Sequence, residues 1–185
     1  MPVKALKVRV ITPAEHISRG RGFYQLEEEE LYLPIESAPE ERRFFSFLES
    51  ESVSLQLNRD GCLVFVEVTI PRRHWQVKMD LVFPETAETA DIRFLDFRET
   101  FPEPTILCDH SRRNLMIKFG RGPAAHNYYL AENLIAQISA ADKLVAIWAS
   151  DIIDDVAGRG ISAWRKSLYG NTSALAHQAA KTPQM

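Results

Sequence analysis

The sequence predicts an α+β protein in which antiparallel strands dominate and a helix follows near the C-terminus. Three observations favour this class: several segments alternate apolar and polar residues, a polar turn separates two of them, and residues 151–170 have the apolar spacing of a helix face. Of the 185 residues, 45% are apolar and 25% are charged. This composition and length are typical of a globular protein with one sizeable core.

The first half of the chain begins with a predicted strand over residues 3–11, which alternate well enough for one face to be buried. A second strand covers residues 30–36. Pro34 indicates a strand end or a sheet edge, because proline has no N–H to donate. Residues 38–50 contain Pro39 near their start and several phenylalanines behind it, which predicts a short helix.

Residues 53–70 form the clearest unit, a β-hairpin. Two alternating strands flank a polar turn at residues 58–61, and Gly61 is free to adopt a positive φ there. Two further strands are predicted over residues 73–83 and 90–98.

The second half contains another hairpin after a short insert. Residues 127–133 predict a helical turn, and residues 134–150 predict the hairpin. Residues 151–170 then predict the C-terminal helix, with Ser150 or Asp151 as its N-cap.

The two halves align with each other, which predicts an internal duplication. Residues 31–33 fall on residues 115–117, and the hairpins follow in the same order. Period-2 patterning makes any two amphipathic hairpins look alike, but the agreement in order favours a duplication. The further matches are Tyr24 with Cys108, Glu51 with Glu132, Gln56 with Gln137, and Leu63-Val64 with Leu144-Val145.

The predicted organisation is one compact unit built from two degenerate repeats. The first repeat covers residues 1–89 with its core at 23–69, and the second covers residues 90–150 with its core at 107–150. The helix at 151–170 and a flexible tail at 171–185 complete the chain. Two such halves would pack about a pseudo-twofold axis, and the remaining sheet edges favour a homodimer.

Part of the first repeat follows a motif. Tyr24, Glu29 and Leu31-Tyr32-Leu33 precede the turn at residues 58–61, which is followed by Leu63-Val64 and Val66-Glu67-Val68. This order resembles a family of small bacterial domains of unknown function, which reads roughly Tyr-Asp-x-x-x-Asp-x-Leu-Tyr-Ile, then Asp-x-Asp-Gly-x-aliphatic-aliphatic-Gly-aliphatic-Glu-aliphatic.

The chain departs from this motif in both repeats. Gln25 replaces the first Asp and Phe65 replaces a Gly, while the second repeat has Asp142 for the hairpin Gly and Trp148 for the Glu. The family has no established activity, so the resemblance implies an architecture and no catalytic residue.

The charge pattern bears on partners and location. A net charge of −3 argues against nucleic-acid or anionic-membrane binding, which needs a basic field. Lys4, Lys7 and Arg9 interrupt any secretory signal, and no window approaches the ~18 apolar residues of a spanning helix. Cys62 and Cys108 form no C-x-x-C pair and are expected to be free thiols. The sequence therefore predicts a cytoplasmic protein, and it contains no signature of a metal or another cofactor.

Three residues offer acid–base chemistry: Asp109, His110 and His126. Neighbours on a regular strand point to opposite faces, so Asp109 and His110 could not converge on one ligand there, and a turn explains the pair equally well. Cys108 beside them would act as a nucleophile only if a base approached from elsewhere in the fold.

A second group suits stacking on a base or a sugar, because Arg72 and His74 adjoin Trp75. Arg73 and residues 112–113 could extend this group into a basic patch. The alternative is a solvated strand entry with Trp75 in the core.

Two groups of carboxylates have ordinary structural explanations. The run at residues 27–30 is typical of a solvated turn. The aspartates at residues 151, 154 and 155 fit a helix N-terminus, with a weak divalent-cation site as the alternative.

The leading functional interpretation is a non-enzymatic protein-interaction or binding module. The first alternative is a small-ligand-binding protein with an aromatic-lined pocket between the repeats, and the second is an enzyme of unrecognised type that uses Asp109, His110 and His126. An interaction module should expose an apolar patch, a ligand binder should contain a deep apolar pocket, and an enzyme should gather titratable groups in a cleft.

Overall fold

The structure, a computed structural model, describes residues 4–36 and 39–167 and consists mostly of β-strands. The strands of the first half are β1 (Val8–Ile11), β2 (Arg19–Gly20), β3 (Gly22–Gln25), β4 (Glu30–Glu36), β5 (Ser46–Glu49), β6 (Val53–Leu57), β7 (Leu63–Val68) and β8 (Gln76–Val77). Those of the second half are β9 (Glu88–Thr89), β10 (Asp91–Phe94), β11 (Glu99–Thr100), β12 (Thr105–Cys108), β13 (Leu115–Lys118), β14 (His126–Ala131), β15 (Leu134–Ile138), β16 (Leu144–Ala149) and β17 (Ile152–Asp155). A helix, α1, begins at residue 159 and is described as far as residue 167.

Most strands belong to two sheets that contain both parallel and antiparallel neighbours. The first sheet has the order β11-β5-β6-β7-β4-β3-β17, with β2 paired to the far end of β4. The second sheet has the order β8-β12-β13-β16-β15-β14-β9, and β1 pairs with β10 in a separate antiparallel ribbon. The described part of the chain has no helix that is long and apolar enough to cross a membrane.

The five central strands of the two sheets agree in order and direction, and they agree in register apart from an additional shift between Tyr129 and Ala131 in the ladder of β14 with β15. The order β3-β4-β7-β6-β5 corresponds to β12-β13-β16-β15-β14, and all neighbours within each set are antiparallel. The ladder between β6 and β7 shifts register after Gln56, and the ladder between β15 and β16 shifts after Gln137. The alignment that places Tyr24 on Cys108 also places Arg9 on Arg93, and these two arginines pair across the ribbon.

The two sheets share one core. Alternation along the strands explains it: Val53, Leu55 and Leu57 of β6 are buried, while Ser54 and Gln56 between them are only half-buried. One cluster of buried side chains combines the inner faces of both sheets with the ribbon, and it includes Leu31, Leu33, Leu55, Val66, Leu115, Ile117, Ile147, Val8, Ile92 and Phe94. The ribbon therefore contributes to the core that holds the sheets together.

Each sheet is completed by the segment that follows the other half of the chain. β17 adds in parallel to β3, and β8 adds in parallel to β12. Beyond β17, Ile161 and Trp164 of α1 cover the outer face of the first sheet. Beyond β8, Leu81 and Phe83 cover the outer face of the second sheet.

Both predicted hairpins, at residues 53–70 and 134–150, are present. Gly61 and Asp142 occupy matching loop positions and both have positive φ, 83° and 55°. A Cβ atom on Gly61 would lie 2.4 Å from the carbonyl oxygen of Phe94, so only glycine lets the ribbon approach this closely. The Phe94 N–H in turn donates a 2.8 Å hydrogen bond to the Gly61 carbonyl.

The prediction of helices in the inserts between the strands is wrong. Only Pro39–Arg42 forms a turn of 3₁₀ helix, and the phenylalanine-rich segment continues as β5. Ser46 and Leu48 are buried while Phe47 between them is exposed, which is the period of a strand. Residues 127–133 lie mostly in β14 instead of a helical turn.

Pro34 lies inside the sheet, contrary to the prediction of an edge or a strand end. On one side of β4, β2 pairs with Ile35 and Glu36 while β3 pairs with residues 30–32. Pro34 falls in the gap between these two partners, so the missing N–H breaks no ladder on that side.

Residues 73–83 do not form the predicted continuous strand. Arg72–His74 is a turn of 3₁₀ helix, and only Gln76–Val77 forms a strand. Leu81 and Phe83 of the remaining segment lie over the outer face of the second sheet, whereas Met79 and Val82 are exposed.

The C-terminal helix begins later than predicted. Residues 152–155 form β17 and residues 156–158 form a 3₁₀ turn, so neither Ser150 nor Asp151 caps the helix. Asp155 takes that role, because its carboxylate accepts hydrogen bonds from the N–H groups of Gly160 at 2.7 Å and Ile161 at 3.0 Å. Residues 168–170 and the predicted tail at 171–185 lie outside the described residues.

Replacing Asp155 with alanine should destabilise the protein. The buried carboxylate satisfies two N–H groups of the first helical turn, and loss of such a cap costs about 1–2 kcal/mol of unfolding free energy. Urea denaturation would measure this loss, with Ser162→Ala on the exposed face of α1 as the control. An unchanged unfolding midpoint in the Asp155→Ala variant would contradict the capping role.

Candidate functional site

The three residues of the predicted acid–base site do not come together. Asp109 and His110 follow β12, whereas His126 begins β14, and three strands separate β12 from β14 in the second sheet. Four strand spacings amount to roughly 19 Å. His126 instead stacks beside Tyr128, with the ring centroids 5.8 Å apart. The structure therefore gives no support to a shared catalytic site of these residues.

Asp109 organises the turn between β12 and β13. Its carboxylate accepts hydrogen bonds from the Ser111 hydroxyl at 2.9 Å, the Arg113 N–H at 3.2 Å and the Asn114 amide at 2.7 Å. Partial burial by itself would raise the pKa of Asp109, but the hydrogen bonds from Asn114, Ser111 and Arg113 lower it on balance. A carboxylate that is ionised and already hydrogen-bonded within its own turn is poorly suited to general acid–base catalysis.

Neither free thiol is activated. Burial raises the pKa of Cys108, and Asp109 adds to that rise while Arg112 and Arg72 oppose it. Burial, together with the carboxylate of Asp91, raises the pKa of Cys62 to about 11. Both side chains are therefore thiols at neutral pH, whereas a nucleophilic cysteine needs a thiolate.

Trp75 belongs to an aromatic and cationic stack at the edge of the first sheet. Its ring is buried, lies edge-on to Tyr24 at 5.7 Å, and its indole N–H donates to the Ile70 carbonyl. The guanidinium of Arg72 lies 4.0 Å from the centre of the Tyr24 ring and forms an ion pair with Asp154 of β17. The Trp75 ring and the Arg72 guanidinium are therefore both engaged by other residues of the chain.

The predicted basic patch is largely neutralised or engaged. Arg72 is paired with Asp154 and Arg73 with Glu29. Arg113 donates to the carbonyl of Ile152. His74 is exposed next to Arg72 and Arg73 in the chain, and Arg112 of the predicted patch is half-buried.

Four exposed phenylalanines form a surface that the sequence reasoning missed, which we call the Phe patch: Phe44, Phe45, Phe47 and Phe97. Their exposed fractions are 44%, 47%, 36% and 37%. The rings of Phe45 and Phe97 lie 6.1 Å apart, and Phe44 lies 6.4 Å from the Phe65 and Trp164 rings beneath it. Phe44 therefore rests on the buried aromatic cluster that joins α1 to the first sheet.

Three arginines border the Phe patch. The guanidinium of Arg59 lies 5.3 Å from the centre of the Phe45 ring, and Arg43 lines the same groove. Arg98 follows Phe97 in the chain, with its N–H bonded to the Ser46 hydroxyl. All three side chains are exposed, and among the described residues none of them forms an ion pair.

Several carboxylates lie close to the Tyr32 hydroxyl on the outer face of the first sheet. This hydroxyl lies 2.5 Å from a Glu30 oxygen and 2.7 Å from a Glu28 oxygen, and Glu67 is its cross-strand neighbour on β7. Within the described part of the chain, no group of three or more His, Cys, Asp or Glu side chains is arranged to hold a metal ion. The carboxylates around Tyr32 therefore do not form a metal-ion site.

Burial and hydrogen bonding shift the pKa values of this group. Burial raises the pKa of Tyr32, and the hydrogen bonds to Glu30 and Glu28 raise it further. Burial also raises the pKa of Glu67, the charge of Glu30 adds to the rise, and Arg165 opposes it. The guanidinium of Arg165 lies 5.1 Å from the centre of the Tyr32 ring, where it offsets part of the negative charge.

Comparison with known proteins gives no family for this chain: no protein-family model matches it, and no curated protein matches it. The resemblance to small bacterial domains of unknown function therefore stays a prediction. Geometry alone must distinguish the candidate sites.

Replacing Glu67 with glutamine should stabilise the protein at pH 7.5 relative to the wild type, with no gain near pH 4. Because the folded chain raises the pKa of Glu67, its ionisation opposes folding, and this penalty is absent below the unfolded pKa of about 4.3. Urea denaturation at the two pH values would measure the difference, with the exposed Glu85→Gln as the control. A less stable Glu67→Gln variant at pH 7.5 would show that attraction to Arg165 outweighs burial.

Proposed function

We propose that this protein is a non-enzymatic interaction module whose Phe patch docks an apolar, acidic segment of a partner protein. The observation that carries the proposal is the exposure of four phenylalanines on two adjoining segments, residues 44–47 and residue 97, which the hydrogen bond from the Arg98 N–H to the Ser46 hydroxyl holds together. Large exposed apolar patches mark interaction sites in soluble proteins. We propose the cytoplasm as the place of action, in line with the sequence pattern.

The composition of the patch supports a protein partner. Aromatic residues and arginine are enriched in protein interfaces, and they supply most of the residues with large effects on affinity. Phe45 between Phe97 and Arg59 is such an arrangement, because a partner side chain can contact both rings and the guanidinium. Arg43, Arg59 and Arg98, which form no ion pair with any described residue, favour carboxylates on the partner.

We further propose that the chain arose by internal duplication. Its support is the common strand order and register of the two sheets, including the shift at Gln56 and Gln137. Three of the four Phe patch residues belong to the first half, where β5 carries Phe47, whereas the matching β14 carries Asn127 as the cross-strand partner of Gln137. Duplication thus explains the architecture, and divergence between the halves explains the presence of Phe47 in the first half alone.

A homodimer through the same surface is the competing assignment. The outermost strands of the two sheets are short, with two residues in β8, β9 and β11 and four in β17, so they present few unpaired backbone groups for a dimer formed by strand pairing. The Phe patch is then the better candidate for contact between two copies.

A phage-displayed random peptide library, selected on the whole protein, tests the proposal. Selected peptides should combine Asp or Glu with large apolar residues, and Phe45→Ser and Phe97→Ser should weaken binding of a labelled peptide by about tenfold or more. Met79→Ser is the matched control, since Met79 is 80% exposed outside the patch. Fluorescence polarisation gives the affinities.

Two results would overturn the partner proposal. The first is that no acidic, apolar consensus emerges, or that its binding persists in both Phe variants. The second is a dimer in sedimentation velocity that Phe45→Ser dissociates, which would assign the patch to a second copy of the chain.

A further inference from the structure

A cavity of about 280 Å³ lies beside the ribbon and the second sheet, and its lining shares no residue with the Phe patch. We call it the cationic pocket. Its apolar wall consists of Leu6, Phe101, Phe119 and Leu144. The Phe101 and Phe119 rings meet edge to face with their centroids 5.4 Å apart.

Backbone hydrogen bonds fix this wall in place. The Leu144 N–H donates to the Leu6 carbonyl at 2.8 Å, and the Phe119 N–H donates to the Val145 carbonyl at 2.8 Å. The Phe101 N–H donates to the Glu49 carbonyl of β5 at 2.9 Å. The pocket is thus largely pre-formed, as ligand pockets usually are.

Three cations line the same cavity: Lys4, Arg121 and Lys143. The Lys4 ammonium forms a 2.6 Å ion pair with Glu99. Among the described residues, Arg121 and Lys143 have no ion-pair partner, so the pocket retains an excess of positive charge. The excess is local, since the whole chain has a net charge of −3.

A matching cavity in the other half shows that the fold does not require these cations. The strand alignment relates the linings of the two cavities, pairing Ile35 with Phe119, Asn58 with Ser139, Cys62 with Lys143, Leu63 with Leu144, and Ala90 with Leu6. The matching cavity, of about 260 Å³, is lined instead by Glu15, Glu41, Asp60 and Asp91, with Arg93 paired to Asp91. Equivalent positions thus hold a thiol near carboxylates in one half and an ammonium in the other.

We propose that the cationic pocket binds a small organic anion, with an aromatic or branched apolar body against Phe101 and Phe119 and a carboxylate-type group at Arg121 and Lys143. A largely apolar cavity with a few convergent polar groups is the usual form of a small-molecule site. The volume lies near the lower end of the ~300–1,000 Å³ range of such sites, which favours a single-ring acid.

Fluorine NMR with para-trifluoromethylbenzoate as the probe tests this site on the whole protein. The benzoate should bind, while para-trifluoromethylbenzyl alcohol, which has the same body without the charge, should bind about fivefold more weakly or worse. Lys143→Ala and Arg121→Ala should each weaken benzoate binding, and added sodium chloride should do the same. Both cations are exposed, so neither variant is expected to affect folding.

Two control variants locate the site. Lys166→Ala removes an exposed cation from α1, and Cys62→Ala alters the matching cavity, so neither should change benzoate binding. The proposal is overturned if the alcohol binds as tightly as the benzoate, if the Lys143 and Arg121 variants bind normally, or if millimolar benzoate shows no binding. None of these variants touches the Phe patch, so the two proposals fail or survive independently.

Discussion

The arrangement depends on an exchange of covering segments between the two halves of the chain. Trp164, which follows the second half, stacks at 4.8 Å on Phe65 of the first sheet. Phe83, which follows the first half, meets Trp148 of the second sheet edge to face at 5.7 Å. A sheet must bury its apolar faces against another layer. Each half supplies that layer to the other, so neither is complete alone.

The predictable part of this fold was the part governed by short-range patterning. The alternation in β6 and the turn at Gly61 identify the first hairpin, since both depend on residues adjacent in sequence. Residues 151–170 were predicted to form one helix, because their spaced apolar residues fit a helix face as well as a strand followed by a helix. Pairing of β17 with β3 decides between them, and that contact joins residues more than a hundred positions apart.

The same distinction applies to the candidate sites. The segment with phenylalanines at residues 44, 45 and 47 was predicted to be a short helix, so the exposure of these side chains on an extended segment could not be anticipated. The acidic run at residues 27–30 has the sequence pattern of a solvated turn. It comes close to Glu67 only because β4 pairs with β7. The cationic pocket combines residues from the start of the described chain with Phe101 and two distant loops, a combination that no local sequence motif can reveal.

The exchange also has a consequence for synthesis on the ribosome. At roughly 5–20 residues per second, about 5–20 s pass between the addition of Phe65 and the addition of Trp164. During that interval Tyr32 and Phe65 of the nascent first sheet have no cover, and they are the side chains on which the finished helix rests. The second sheet is in the opposite position, because Leu81 and Phe83 are made before any of its central strands. The first sheet is therefore the part of the nascent chain that most needs shielding from other chains until α1 has been synthesised.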